Sequence, residues 1–130
     1  MTNLITVKNK INNFNKSIYV SGDKSLSIRW VLFSSIANGK SKAFNLLLSE
    51  DVLTAINAVK KLGIKVKISK NYCTIVGNGI NGYKYKKNIT INSKNSGTLG
   101  RLIMGLLIDT PYKIKIIGDK SLSKRDFVRI

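Results

Sequence analysis

Three short stretches of this chain group residues able to hold an anion. The first is Gly22-Asp23-Lys24-Ser25-Leu26-Ser27-Ile28-Arg29. Its glycine lets the backbone turn sharply out of a strand. A helix beginning near Ser25 would present free backbone N–H groups and the positive end of its dipole to a ligand. Lys24 adds a point charge there and Ser25 a hydroxyl donor. Arg29 lies one turn beyond Ser25 on the same face, where its planar fork can grip a carboxylate or phosphate through two hydrogen bonds. The same residues also suit a capped helix with solvated charges, and spacing alone leaves both readings open. The second stretch, Asn95-Ser96-Gly97-Thr98, stands between an apolar run and a helical pattern, with Arg101 one turn further on. Small residues let a ligand approach the backbone closely, although the spacing and the lysine of a P-loop are missing. The third is Lys124 and Arg125 with Arg129, either an anion contact or simply a basic surface.

Proton-transfer chemistry is absent from this inventory. The chain has no histidine, so the commonest proton shuttle and metal ligand is missing. Its single cysteine, Cys73, sits in an alternating stretch and is expected as a buried strand thiol. One cysteine makes neither an intramolecular disulfide nor a zinc cluster. Among six carboxylates, Glu50 and Asp51 read as helix-start residues, while Asp23 and Asp119 read as turn residues bonding nearby backbone. No nucleophile–base pair and no metal set emerges, and no cofactor is expected.

The net charge of +17 by itself suggests a polyanionic partner. Its lysines, however, are scattered singly or in pairs among many Asn and Ile residues, the composition that AT-biased coding produces. A small basic nucleic-acid-binding module is therefore the alternative function. It lacks interleaved surface aromatics and any recognised binding motif in the sequence, so small anions rather than nucleic acid are the expected partners. No apolar run approaches the roughly 18 residues of a membrane span. The opening residues alternate instead of forming the apolar middle of a signal peptide, and a cytoplasmic location is expected.

The elements that must position these groups follow from periodicity. Leu4–Lys8 and Ser17–Val20 read as strands, and 25–38 as a helix with Leu26, Trp30, Phe33 and Ala37 on its inner stripe. Ala43–Leu48 reads as a strand. A second helix follows, with Ser49 as N-cap, Lys60 and Lys61 in its last turn and Gly63 as C-terminal cap. Ile64–Ile68 and Tyr72–Val76 form a strand pair, 77–87 a loop and Ile89–Ile91 a strand. A helix over 96–108 and a strand over 112–117 complete the pattern. This alternation predicts an α/β (α+β) fold with helices packed on a mixed sheet. The first octapeptide recurs as Gly118-Asp119-Lys120-Ser121-Leu122-Ser123-Lys124-Arg125, with one substitution, which points to a repeated strand-to-helix unit.

In order and approximate spacing, these stretches together with Ser49-Glu50-Asp51-Val52 resemble the 5-enolpyruvylshikimate-3-phosphate synthases of the enolpyruvyl transferase family. The resemblance runs from Ser21 onward. The UDP-N-acetylglucosamine enolpyruvyl transferases are the second reading, less close because they carry Lys-Asn where this chain has Lys24-Ser25. The resemblance implies transfer of the enolpyruvyl group of phosphoenolpyruvate to the 5-hydroxyl of shikimate 3-phosphate, in the shikimate route to aromatic amino acids. It implies that Lys24, Ser25 and Arg29 hold shikimate 3-phosphate, and that Lys24, Gly97 and Arg125 hold phosphoenolpyruvate. Asn95 and Thr98 line the same pocket. Glyphosate occupies the phosphoenolpyruvate site in sensitive members, where a glycine at position 97 leaves it room.

The family's two-lobed chain, a monomer when whole, is built from β-α-β-α-β-β units. Residues 1–20 are accordingly expected to belong to the second lobe, and 21–130 to an incomplete first lobe. The acid/base carboxylates are expected outside this chain, and the amino-terminal portion is expected to be inactive alone. Asp126 stands where the family has proline, a carboxylate placed to pair with Arg125.

Overall fold

A computed structural model describes residues 4–6, 8–10, 13 and 15–128. Helix α1 (Lys24–Ile36) leads into strand β1 (Asn38–Phe44), helix α2 (Glu50–Lys61), and strands β2 (Lys65–Ile68) and β3 (Tyr72–Asn78). Strand β4 (Thr90–Asn92), helix α3 (Gly97–Leu106), strand β5 (Lys115–Ile117) and the short helix α4 (Lys120–Ser123) follow. The antiparallel and parallel pairings fall in two separate sheets. One is a three-stranded antiparallel sheet in the order β1-β3-β2, the other the parallel pair β4-β5.

The core lies where α1 and α2 meet each other and the inner face of β3. Ile28, Val31 and Leu32 of α1 close on Val52, Ala55, Ile56 and Val59 of α2, with Cys73 and Ile75 beneath and Ile91, Leu99 and Ile103 alongside. This stripe of α1 differs from the expected one. Leu26 and Phe33 are exposed, and the buried positions include Ser27, Ser34 and Ser35. The physical reason is closeness of approach. Small serines let neighbouring backbone come in, and each can satisfy its hydroxyl locally. Ser35 donates to the Leu32 carbonyl and lies 2.7 Å from the Tyr83 hydroxyl, while Ser27 Oγ accepts from Leu47 N at 3.1 Å. Bulk hydrophobicity picked out the larger residues, but tight packing selected the smaller ones.

Helix α2 matches its signals at both ends with one exception. Glu50 and Asp51 occupy the first turn, and Lys60 and Lys61 the last. Gly63 takes φ +85° while its N–H bonds the Lys60 carbonyl. Ser49 holds the N-cap position without making a side-chain cap bond, and its Oγ is buried without a partner. The strand expected over 43–48 lies earlier, because β1 pairs with β3 from Asn38↔Asn78 to Phe44↔Tyr72. It stops where Asn45 adopts φ +53°.

Neither opening strand forms among the described residues. Ser17–Val20 is irregular and Ile18, Tyr19 and Val20 are exposed, with Asn45 Nδ2 reaching the Val20 carbonyl at 3.3 Å. Alternation alone makes no strand without a ladder partner. Leu4–Thr6 and Lys8 are likewise irregular, and Val7 lies outside the described residues. Cys73 is buried on the central strand, as its alternating context predicts, and burial pushes its thiol pKa up. No helix among the described residues is long and apolar enough to cross a membrane.

Candidate functional site

Parallel pairing of β4 and β5 brings the carboxyl ends of both strands to one edge. The ladder Thr90↔Lys115, Ile91↔Ile116, Asn92↔Ile117 continues through Ser93 N to the Ile117 carbonyl (2.8 Å) and Asp119 N to the Lys94 carbonyl (2.9 Å). The chain then enters α3 and α4 from adjacent turns. Ser96 Oγ caps α3 by accepting from Leu99 N, and Asp119 Oδ1 caps α4 by accepting from Leu122 N at 2.7 Å. Two helix amino termini with inward-facing N–H groups therefore lie side by side.

Gly97, the first residue of α3, is the tightest point of this corner. A Cβ there would lie 2.9 Å from Arg125 Nη1 and 3.1 Å from Arg101 Nη1. Glycine is thus what allows two guanidinium groups to converge on the start of α3. Arg125 Nη2 donates to Asn95 Oδ1 at 2.8 Å. Arg101 donates to the Asp126 carbonyl at 3.0 Å and lies over the Phe127 ring, 5.1 Å from its centroid. The expected pairing of Asp126 with Arg125 does not occur among the described residues. Asp126 Oδ1 instead accepts from Val128 N at 2.7 Å, and Arg125 is left to Asn95. A short Asx turn satisfies that carboxylate before it can reach the guanidinium.

Helix α1 approaches from the other side. Asp23 Oδ1 accepts from Leu26 N at 2.7 Å, so the cap is Asp23, and Lys24 and Ser25 sit in the first turn. Arg29 folds back along the helix, donating to the Ser25 carbonyl at 3.2 Å. Ser25 and Arg29 thus share one face, as their spacing predicts. The acidic first turn of α2 bridges the two sides. Lys24 Nζ lies 3.3 Å from Asp51 Oδ2, and Lys94 Nζ lies 2.7 Å from Glu50 Oε1. Exposed pairs of this kind contribute only about 0–1 kcal/mol each; their effect is to aim the two lysines. A shallow polar cleft lined by Glu50, Asp51, Asn92, Lys94, Asn95, Gly118 and Asp119 runs between the helix starts.

The expected residues therefore form two neighbouring groups. Asn95, Gly97 and Arg125 come together directly, and Lys24, Ser25 and Arg29 line the start of α1. Thr98 is half-buried in the first turn of α3. Arg129 lies outside the described residues. Three features were not assigned to the site from sequence. Arg101 reaches Gly97, a role signalled by its position four residues on, as Arg29 stands four after Ser25. Lys94 enters the cleft from a left-handed backbone position (φ +47°), which costs a lysine roughly 1 kcal/mol. Glu50 and Asp51, read as helix-start residues only, also hold the two lysines.

The arrangement can bind anions at two helix starts, and it offers no buried acid or base beside them. Comparison with known proteins agrees with that chemistry. A family model described as EPSP synthase (3-phosphoshikimate 1-carboxyvinyltransferase) matches residues 8–129. The 3-phosphoshikimate 1-carboxyvinyltransferase of Bacillus cytotoxicus is 43% identical over 116 residues, 89% of this chain and 27% of that protein. That of Streptococcus pyogenes serotype M2 is 43% identical over 114 residues, 88% of this chain and 26% of the relative. A solved EPSP synthase from Acinetobacter baumannii superposes with a TM-score of 0.76 at 36% identity, covering 83% of this chain and 24% of that one. The chain spans about a quarter of the length of the relatives it matches.

Proposed function

Since the chain belongs to the EPSP synthase (3-phosphoshikimate 1-carboxyvinyltransferase) family, we propose that it furnishes the anion-holding part of a site for enolpyruvyl transfer. In that reaction the 5-hydroxyl oxygen of shikimate 3-phosphate bonds to C2 of phosphoenolpyruvate, the bond from C2 to the phosphate oxygen breaks, and phosphate leaves. The observation carrying the reading is the corner at Gly97, where Arg125 and Arg101 converge on a helix start. A phosphate or carboxylate entering there meets two guanidinium groups and backbone N–H donors at once, the combination that best stabilises a small dianion.

In this reading Lys24, Ser25 and Arg29 receive shikimate 3-phosphate, and Lys24 lies between the two substrates. Gly97 and Arg125 receive phosphoenolpyruvate, with Arg101 added to them and with Asn95 and Thr98 lining the pocket. Asp51 and Glu50 hold the lysines aimed until an anion competes for them. The acid and base of the reaction come from chain beyond this quarter, so these residues bind and orient without moving the proton. Residues 1–20 pair with a second lobe and 21–130 belong to the first, a division supported by the exposed Ile18, Tyr19 and Val20. The whole enzyme works as a cytoplasmic monomer.

The test is a fluorescence titration of the 130-residue chain with shikimate 3-phosphate at low salt, read through Trp30, which adjoins Arg29. A saturable change that Arg29→Ala abolishes and sulfate at matched ionic strength does not reproduce is the expected result. No response from a chain shown by circular dichroism to be folded would overturn binding by this part alone.

A further inference from the structure

A second cationic surface lies on the antiparallel sheet, on the face turned away from α1. Strand register places Lys42 and Lys67 on either side of Thr74, and Lys40 and Lys65 on either side of Val76. Phe44 and Tyr72 pair at the end of the same face, in edge contact with centroids 6.2 Å apart. Along a strand such alternate residues stand about 6.8 Å apart, and β1 and β2 are separated by two strand spacings, about 9.6 Å. Four ammonium groups thus form a two-by-two grid with an aromatic edge.

The grid carries no compensating charge. None of the three strands contains Asp or Glu, and the six carboxylates of the chain all stand on other elements, four of them at helix starts. Lys42 Nζ rests 4.0 Å from the Tyr72 ring centroid and 4.8 Å from that of Phe44. A lysine resting on rings, unlike one in an ion pair, gives up little when a phosphate takes it. The Tyr72 hydroxyl is acidified by its hydrogen bond with Ser69 and by the fields of Lys42, Lys67 and Lys40, which fits a positive potential at this end of the sheet. Thr74 is nearly covered although it points outward, so the lysine stems lie flat and the heads are held at a constant height.

We propose that this sheet face binds single-stranded nucleic acid, with Lys40, Lys42, Lys65 and Lys67 on its phosphates and the exposed Phe44 ring as a platform for a base. A flat sheet with cations in rows and an aromatic edge suits a strand whose bases are free to stack. A duplex hides its bases from such a platform. Anionic membrane is the poorer match, because the grid has no broad apolar wedge to insert. The only base-facing hydroxyls on offer are those of Thr74 and Tyr72, so binding depends little on sequence. This surface is independent of the helix starts that carry the proposed transferase site.

The experiment is fluorescence anisotropy of a labelled oligothymidylate of about 15 nucleotides, long enough to cross the whole grid, titrated with the 130-residue chain at rising salt. Lys42→Glu with Lys67→Glu is expected to weaken binding at least tenfold at low salt. Lys86→Glu with Lys113→Glu, an equal change of net charge at exposed positions elsewhere, is expected to stay within about threefold. The wild-type log–log salt slope should be near −2.8, that is about 0.7 for each of four phosphates, and the neutral pair Lys42→Gln with Lys67→Gln should roughly halve it. Phe44→Ala should weaken the oligonucleotide several-fold and leave a duplex of the same length unaffected. Equal loss from both glutamate pairs would reduce the effect to net charge and overturn the proposal. So would a glutamine pair that binds like wild type, or patch-dependent binding to phosphatidylserine vesicles with none to the oligonucleotide.

Discussion

The two copies of the Gly-Asp-Lys-Ser-Leu-Ser motif begin identically and end differently. In both, the aspartate caps the helix through a 2.7 Å bond to the leucine N–H three residues on. After that the first copy runs for 13 residues and the second for four. Their one sequence difference is Ile28 against Lys124. Ile28 is fully buried against α2 and pulls the helix onward into the core. Lys124 is exposed at the C-cap, and the chain then bends so that Phe127 meets Gly100 and Arg101. Burial of the shared leucine is inverted too, with Leu26 68% exposed and Leu122 3%. Local sequence therefore sets how a helix starts, while a single tertiary contact sets how far it goes.

The larger frame differs as well. The first copy opens α1, whereas the second opens α4, which follows the second strand of its unit and so occupies the place that Ser49-Glu50-Asp51 holds before α2. The echo is one of capping chemistry and not of a whole duplicated unit.

The sharpest way to break the comparison is Ile28→Lys, which makes the first copy identical to the second. An amine forced into a fully apolar site without a partner is expected to cost on the order of 4 kcal/mol or more, and urea denaturation followed by circular dichroism should find the domain largely unfolded. The leucines give a graded contrast. Leu122→Ala should lower stability by about 2–3 kcal/mol, whereas Leu26→Ala should cost less than about 0.5 kcal/mol.

A smaller effect separates the caps. Asp23→Ala and Asp119→Ala should each remove about 1 kcal/mol locally. Only the first should lower the global midpoint by that amount, because α1 is core and α4 is peripheral. Hydrogen exchange should show Asp119→Ala as faster exchange confined to residues 119–125. The smallest effect is in pH. Burial raises the pKa of Tyr83, whose hydroxyl lies beside Ser35. A raised phenol pKa contributes stability that is complete below the unfolded value near 10 and is lost as pH climbs through the folded value. Stability should therefore fall above about pH 10, and less steeply in Tyr83→Phe.

How far the sequence foretold this molecule depends on which physics governed each part. Helix α2 was legible from end to end because its caps and charges are local signals, down to Gly63. The anion-holding residues were legible as types, and Gly97 with Arg125 did come together. Pairing partners were not legible. The opening strands lack a ladder, β1 follows the register that β3 imposes, and α1 buries serines where larger residues stood nearby. Arg101, Lys94 and the tethering role of Asp51 depended on how two strand ends and three helix starts meet, which no stretch of sequence records. The aromatic edge of the sheet was hidden for the same reason, since Phe44 and Tyr72 become neighbours only across β1 and β3.

Cys73 gives the molecule a built-in clock. It sits on the middle strand of the three, 1% exposed, with its thiol held protonated by burial. A thiol reagent can reach it only after β1 or β2 has parted from β3, so its rate of labelling counts sheet openings rather than reagent collisions. As the chain has no other cysteine, every modified molecule records one such event, and the breathing of the lysine-bearing sheet can be timed without adding a probe to the protein.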